Sequence, residues 1–226
     1  MMDDWRDEQK AAVAALIKAK FKPLMPNQAK YFESIENKHI TICDGCPGVG
    51  KSYIACGLAA RFMNQGKINK IILVRPVISC GAGLGYLPGN LSEKLIPWNT
   101  PLLEALMDFF TKKELALAFE EERIEIAALD MMRGRSIKKS MVILDEAQNA
   151  DFRQLEMFLT RFDYGSKFVI CGDAYQTDLP HRGQNALDKI IDLFWDDCHK
   201  EIGIVELTED DIVRPEIVKW MSKRLA

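Results

Sequence analysis

Along most of this chain, short unbroken apolar runs alternate with longer stretches whose apolar positions recur every three or four residues. The first pattern predicts buried strands and the second amphipathic helices. The strands expected are His39–Cys43, Lys70–Val74, Arg123–Ala127, Met141–Leu144, Lys167–Cys171 and Gly203–Leu207. Helices are expected over Lys51–Asn64, over 91–121 with a break near Pro97 and Pro101, and after a cap at Asp151, with Phe152, Leu155, Phe158, Leu159 and Phe162 inward. Two more are expected over Gln184–Phe194 and Pro215–Arg224, the last with proline in its first turn, where a missing N–H costs nothing. Upstream, Asp3 and Asp4 can cap a helix carrying Trp5, Ala12, Val13, Leu16 and Ile17 on one face. Pro23 and Pro26 end it, and Asn27 can cap another through Tyr31, Phe32 and Ile35.

Apolar strands alternating with amphipathic helices predict an α/β fold of three layers, with helices on both faces of a mostly parallel central sheet. Ligands of such sheets bind beyond the carboxyl ends of the strands, so chemistry is expected just after strands. The 226 residues suit a single domain with a small appendage. We expect a helical extension over 1–25 and one domain over 26–226.

Composition narrows the field. Hydrophobic residues make up 48% and charged residues 28%, a globular balance. The net charge of −3 excludes a molecule that is basic overall but not a local basic groove. No stretch is long enough and apolar enough to span a membrane, and the acidic start Met1-Met2-Asp3-Asp4-Trp5 lacks the plan of a signal peptide, so a cytoplasmic protein is expected. Six cysteines are then most simply free thiols. Cys43 and Cys46 form a Cys-x-x-Cys, but no second pair completes a zinc set.

The chemistry concentrates in two places. Gly45-Cys46-Pro47-Gly48-Val49-Gly50-Lys51-Ser52 fits the phosphate-loop pattern, follows an apolar run and opens a helical one. Its glycines let backbone N–H groups face phosphate oxygens, and the helix N-terminus adds partial positive charge. Lys51 would neutralise the outer phosphates, the Ser52 hydroxyl would bind magnesium, and Tyr53 follows at the edge of the nucleotide site. Cys46, close to a helix N-terminus, is a candidate for an acidic, oxidisable thiol. The second place is Met141-Val142-Ile143-Leu144-Asp145-Glu146, where an apolar run ends in two acids. With a phosphate loop in the same chain, Asp145 is expected on the magnesium ion and Glu146 as the base for an attacking water. Such a pair favours hydrolysis over transfer to a small acceptor.

Lys167-Phe168-Val169-Ile170-Cys171-Gly172-Asp173-Ala174-Tyr175-Gln176 repeats the plan of a strand delivering polar groups. Gln176 could reach the γ-phosphate or the attacking water and Asp173 could orient the loop; an ordinary Gly-Asp turn fits the spacing equally well.

Several stretches together resemble the PhoH-like family of phosphate-starvation ATPases. They include Pro26-Asn27-Gln28, the phosphate loop, Arg75-Pro76 with Gly85-Tyr86-Leu87-Pro88-Gly89, and Met132-Arg133-Gly134-Arg135. Leu144 to Asn149, Phe158-Leu159-Thr160-Arg161, Gly172 to Pro180 and Val213-Arg214 complete the set. The resemblance runs from about Pro26 to the end of the chain. It departs from the family's usual pattern at Ser52, where threonine is common, over 181–186, and at Pro215.

The resemblance implies a RecA-like P-loop fold, ATP and Mg2+ as ligands, ATP hydrolysis, and coupling to RNA or single-stranded DNA. It puts Gln28 on the adenine, a contact a carboxamide can make; a solvated place in a helix's first turn is the alternative. Motors of this kind use an arginine in the transition state. Arg214 is the first candidate, then Arg133 and Arg135, from the same chain or from a neighbour in a homo-oligomeric ring. The segment Arg75 to Gly89 would face nucleic acid, with Arg75 on phosphates and Tyr86 stacking; a loop over the sheet edge is the alternative. A nucleotide-dependent switch or a phosphotransferase remains the competing class.

Overall fold

A computed structural model of the chain describes residues 21–77, 91–176, 185–197 and 199–225. The expected first helix over 3–20, Tyr86, Cys80 and Cys198 lie outside them. Six parallel strands form one sheet: β1 (Ile40–Gly45), β2 (Lys70–Arg75), β3 (Ile124–Ala128), β4 (Ser140–Leu144), β5 (Lys167–Gly172) and β6 (Ile202–Leu207). Their order across the sheet is β3-β2-β4-β5-β1-β6, so β5 lies between the phosphate-loop strand and the acid-bearing strand. The helices are α1 (Pro26–Asn37), α2 (Lys51–Asn64), α3 (Leu91–Met107), α4 (Lys112–Glu120), α5 (Phe152–Leu159), α6 (Ala186–Asp196) and α7 (Glu216–Leu225).

Strand alternation builds two cores. Ile71, Leu73, Met141, Ile143, Val169 and Cys171 face one side, against α1 to α4. Ile72, Val74, Val142, Leu144, Phe168 and Ile170 face the other, against α5 and α6. Strands β2, β4 and β5 are therefore apolar on both faces, which is why they read as continuous runs. The central helix α2 buries nearly all of its residues after the first turn. Its small residues admit close neighbours: a Cβ on Gly57 would lie 2.5 Å from the ring of Phe21. Phe21 itself is buried in this core, so the packed body includes residues ahead of Pro26.

Three local expectations are corrected. The 91–121 stretch does not break at its prolines: α3 runs through Pro97 and Pro101, and the break falls at 108–111. There Thr111 and Glu114 form a reciprocal capping box that starts α4 afresh. Buried Leu95, Asn99, Leu102 and Leu106 hold α3 to the core, enough to override two missing N–H donors. Helix α1 is not capped by Asn27; Pro26 occupies its first turn, and the Asn27 amide donates to Asp211 Oδ2 at 3.0 Å. Helix α5 ends at Leu159, and Phe162 lies beyond it, its ring 5.7 Å from that of Phe168.

Candidate functional site

The carboxyl ends of β1, β2, β4 and β5 open onto a pocket of about 350 Å³. Pro47, Gly48, Gly50, Lys51, Ser52 and Tyr53 line it from the loop, and Asp145, Glu146, Gln176 and Arg214 from elsewhere. Gly45, Cys46 and Val49 lie behind this lining. The loop turns through Gly48 and Gly50, both at φ 89, a region that side chains with a Cβ avoid. Gly50 accepts the first α2 bond, from Ile54 N at 2.9 Å, so the helix N-terminus points into the pocket. Lys51 Nζ donates to the carbonyls of Gly45 and, at 3.0 Å, Cys46.

Strand β4 brings the two acids alongside. Asp145 N donates to Val74 O at 2.9 Å, continuing the ladder one residue past the strand. The carboxylate is nearly buried, and its Oδ1 accepts from Ser52 Oγ at 2.7 Å. These two groups, 93 residues apart, are the oxygen donors that the sequence assigned to magnesium. A hydroxyl beside a carboxylate suits a hard cation. Among the described residues no cluster of three or more His, Cys, Asp or Glu could form an all-protein cage.

Glu146 takes the left-handed conformation, φ 56 and ψ 40, and projects its half-exposed carboxylate into the pocket. Strain of this kind persists where surrounding contacts enforce it. Its carboxylate is held by Gln148, whose Nε2 donates to Glu146 Oε2 at 2.7 Å and whose Oε1 accepts from Asp173 N at 3.1 Å. Glu146 is thereby tied to the end of β5. Asp173 O accepts from Gln176 N at 3.1 Å, and the exposed Gln176 side chain edges the pocket.

Arg214 comes from the same chain. Val213 N donates to Gly48 O at 3.1 Å, and the arginine stem crosses the loop so closely that a Cβ on Gly48 would meet Arg214 Nε at 2.7 Å. The other two candidate arginines stay away from the pocket. Arg135 holds Glu125 with two bonds of 2.7 and 2.9 Å, and Arg133 is exposed after a short 3-10 turn.

Gln28 is buried and fully bonded within the protein. Its Oε1 accepts from Leu24 N at 2.9 Å, while Nε2 donates to Val49 O at 2.9 Å and Asp211 O at 3.3 Å. It braces the back of the phosphate loop, and to reach an adenine it would have to give up some of these bonds. The acidic thiol suggested for Cys46 is corrected: burial pushes its pKa up, and the Lys51 charge offsets this only in part. Arg75 turns inward, onto Asp145, rather than outward.

Sequence reasoning gave no role to Gln148 or Asp44. Asp44 Oδ1 accepts from Ala174 N at 2.8 Å, and burial raises its pKa. A charged residue closing an apolar strand was the available signal for Asp44, and position two after the base was the signal for Gln148.

A glycine loop between β1 and α2, an acid pair after β4 and an apolar strand between β1 and β4 define the P-loop NTPase fold class in its RecA-like form. The large terminase of a thermophilic bacteriophage shares this fold, with a TM-score of 0.58 at 12% identity over 91% of this chain and 51% of that one. The same enzyme in complex with ADP gives 0.57 at 14% identity, over 90% and 50%. Within that class the chain belongs to the PhoH-like protein family, whose model matches residues 20–226. It is 39% identical over 197 residues to the PhoH-like protein of Mycobacterium tuberculosis strain H37Rv, covering 87% of this chain and 55% of the relative. The PhoH-like protein of Bacillus subtilis is 39% identical, covering 84% and 59%, and Protein PhoH of Escherichia coli K12 is 34% identical, covering 83% and 53%. The chain thus spans a little over half the length of these relatives. Among the described residues no helix is long and apolar enough to cross a membrane.

Proposed function

We propose that this chain binds Mg·ATP in the pocket described and hydrolyses it. The observation that carries the reading is the 2.7 Å contact of Ser52 with Asp145, beside the phosphate loop and one residue from a base held in a strained conformation. Lys51 would leave the loop carbonyls for the outer phosphates. Glu146, oriented by Gln148, would take the proton of a water whose oxygen bonds to the γ-phosphorus as the bond to the β-phosphate oxygen breaks, releasing ADP and phosphate. Magnesium, when bound, supplies charge neutralisation across the phosphates, with Ser52 and Asp145 to hold it. Arg214 would meet developing charge in cis, a reading supported by its stem lying over Gly48 of its own loop.

Coupling to RNA or single-stranded DNA, and assembly into a homo-oligomer, belong to the same proposal and rest on the family. The inward turn of Arg75 removes one contact expected to support nucleic-acid binding. Glu146→Gln should lower turnover by about 10² to 10⁴ while ATP binding persists. Running both proteins with and without RNA and single-stranded DNA separates the classes. Salt-sensitive stimulation supports coupling. Turnover that ignores both polymers supports a switch, and label appearing on a small acceptor would overturn the hydrolase reading.

A further inference from the structure

Asp145 uses its two oxygens differently. Oδ1 accepts from Ser52, while Oδ2 accepts from Arg75 Nε at 3.0 Å and also from Arg75 Nη2. Arg75 ends β2, next to β4 in the sheet, and its side chain is only 16% exposed. Its Nη1 donates to the Trp98 carbonyl at 2.6 Å, and Nη2 stands 3.8 Å from Glu146 Oε1. Trp98 sits in α3 between Pro97 and Pro101, and Pro101 lines the pocket. One guanidinium therefore ties together the acid meant for the metal, the neighbourhood of the base and a helix on the pocket wall.

A nearly buried carboxylate needs a positive partner, and here it has one. A divalent cation seated at Ser52 and Asp145 would share that carboxylate with the guanidinium, in a place where little water screens their repulsion. We propose that Arg75 and magnesium are competing partners of Asp145. Arg75 is then a positioning residue that sets how much magnesium the site requires, and its departure from Asp145 transmits metal occupancy to α3 through Trp98. Glu146 is the nearest alternative acceptor for the displaced guanidinium.

This inference rests on the Mg·ATP reading, and one titration separates the two. A fluorescent N-methylanthraniloyl-ADP is bound to wild type, Arg75→Lys and Arg75→Gln while magnesium chloride is raised from an EDTA baseline. Removing the competitor should lower the half-saturating magnesium concentration by about fivefold or more in Arg75→Gln. Arg75→Lys keeps the charge without the fork and should fall between. General damage to the site would raise the requirement instead. Melting temperatures provide a second readout: Arg75→Gln should melt lower than wild type in EDTA and gain more from Mg·ADP. If Arg75→Gln does not fold, the order of Arg75→Lys against wild type decides. Equal or higher magnesium requirements in the variants would overturn the inference alone, whereas wild type that binds no nucleotide with magnesium would overturn the functional reading beneath it.

Discussion

Gln148→Ala isolates the device that aims the base. The amide orientation is fixed by its partners, since a carboxylate only accepts and the Asp173 N–H only donates. Truncation leaves the buried Asp173 N–H without that acceptor, a loss of about 1–3 kcal/mol. It also removes a bond to a charged carboxylate, about 1.5–3 kcal/mol when buried, but Glu146 is 48% exposed, water replaces much of it, and the lower end applies. The sum is a destabilisation of about 2–4 kcal/mol, or about 5–15 °C in melting temperature for a domain of this size. The kinetic effect differs in kind. Glu146 keeps its carboxylate but loses its aim, and misplacement of a catalytic group by about 1 Å costs on the order of 10²-fold. The phosphate loop is untouched, so kcat should fall about 10- to 100-fold with KM for ATP nearly unchanged. Steady-state ATPase assays well below the variant's melting temperature, with melting followed by circular dichroism, test both parts. Turnover within about twofold of wild type would refute the claim that Gln148 positions Glu146.

Two further outcomes follow from the same geometry. Gly48→Ala puts a Cβ at φ 89 and 2.7 Å from Arg214 Nε, so it should cost about 1–2 kcal/mol in stability and displace Arg214, lowering turnover as Arg214→Ala does; a fully active Gly48→Ala would contradict the placement of that arginine. Stability should fall at alkaline pH because Cys43, Cys56, Cys171 and Tyr31 are buried with raised pKa values, Cys171 up to about 12, their protection being complete below the usual thiol value of 9.0 and lost above it at about 1.4 kcal/mol per pH unit for each thiol. Lys167, lowered by burial to about 8, works the other way up to its usual 10.5 but is one group against three thiols, Tyr31 adding its loss only above its usual 10.0; denaturant midpoints from pH 7 to 10 should drop beyond 9, and Cys171→Ala should flatten the drop.

Much of the architecture was legible because β2, β4 and β5 are buried on both faces and most connections contain an amphipathic helix. Lys51–Asn64 was placed to the residue because Gly50 and the apolar content of α2 mark both ends. Strand β1 runs two residues beyond the expected Cys43 because Asp44 pairs with Gly172 and Glu206, and Gly45 with Leu207, partners far along the chain. Strand order was equally beyond reach. It puts β5 beside β4, brings Asp173 to Gln148, and turns an unremarked glutamine into the brace of the base. Arg75 was misjudged for a related reason: its sequence neighbours suggest an exposed loop, but its spatial neighbour is the acid at the end of β4.

These long-range pairings have a common consequence for binding. The cations expected to receive phosphate do not wait free. Lys51 rests on the carbonyls of Gly45 and Cys46, Arg75 on Asp145, and Arg214 lies against Gly48. A triphosphate that engages Lys51 and Arg214 would exchange partners rather than add new ones, so affinity should be modest for the number of contacts made. Under the proposal above, Asp145 freed from Arg75 would become a metal ligand. On that proposal, binding energy would go into rearranging Asp145, Glu146 and α3, as a motor or a switch requires.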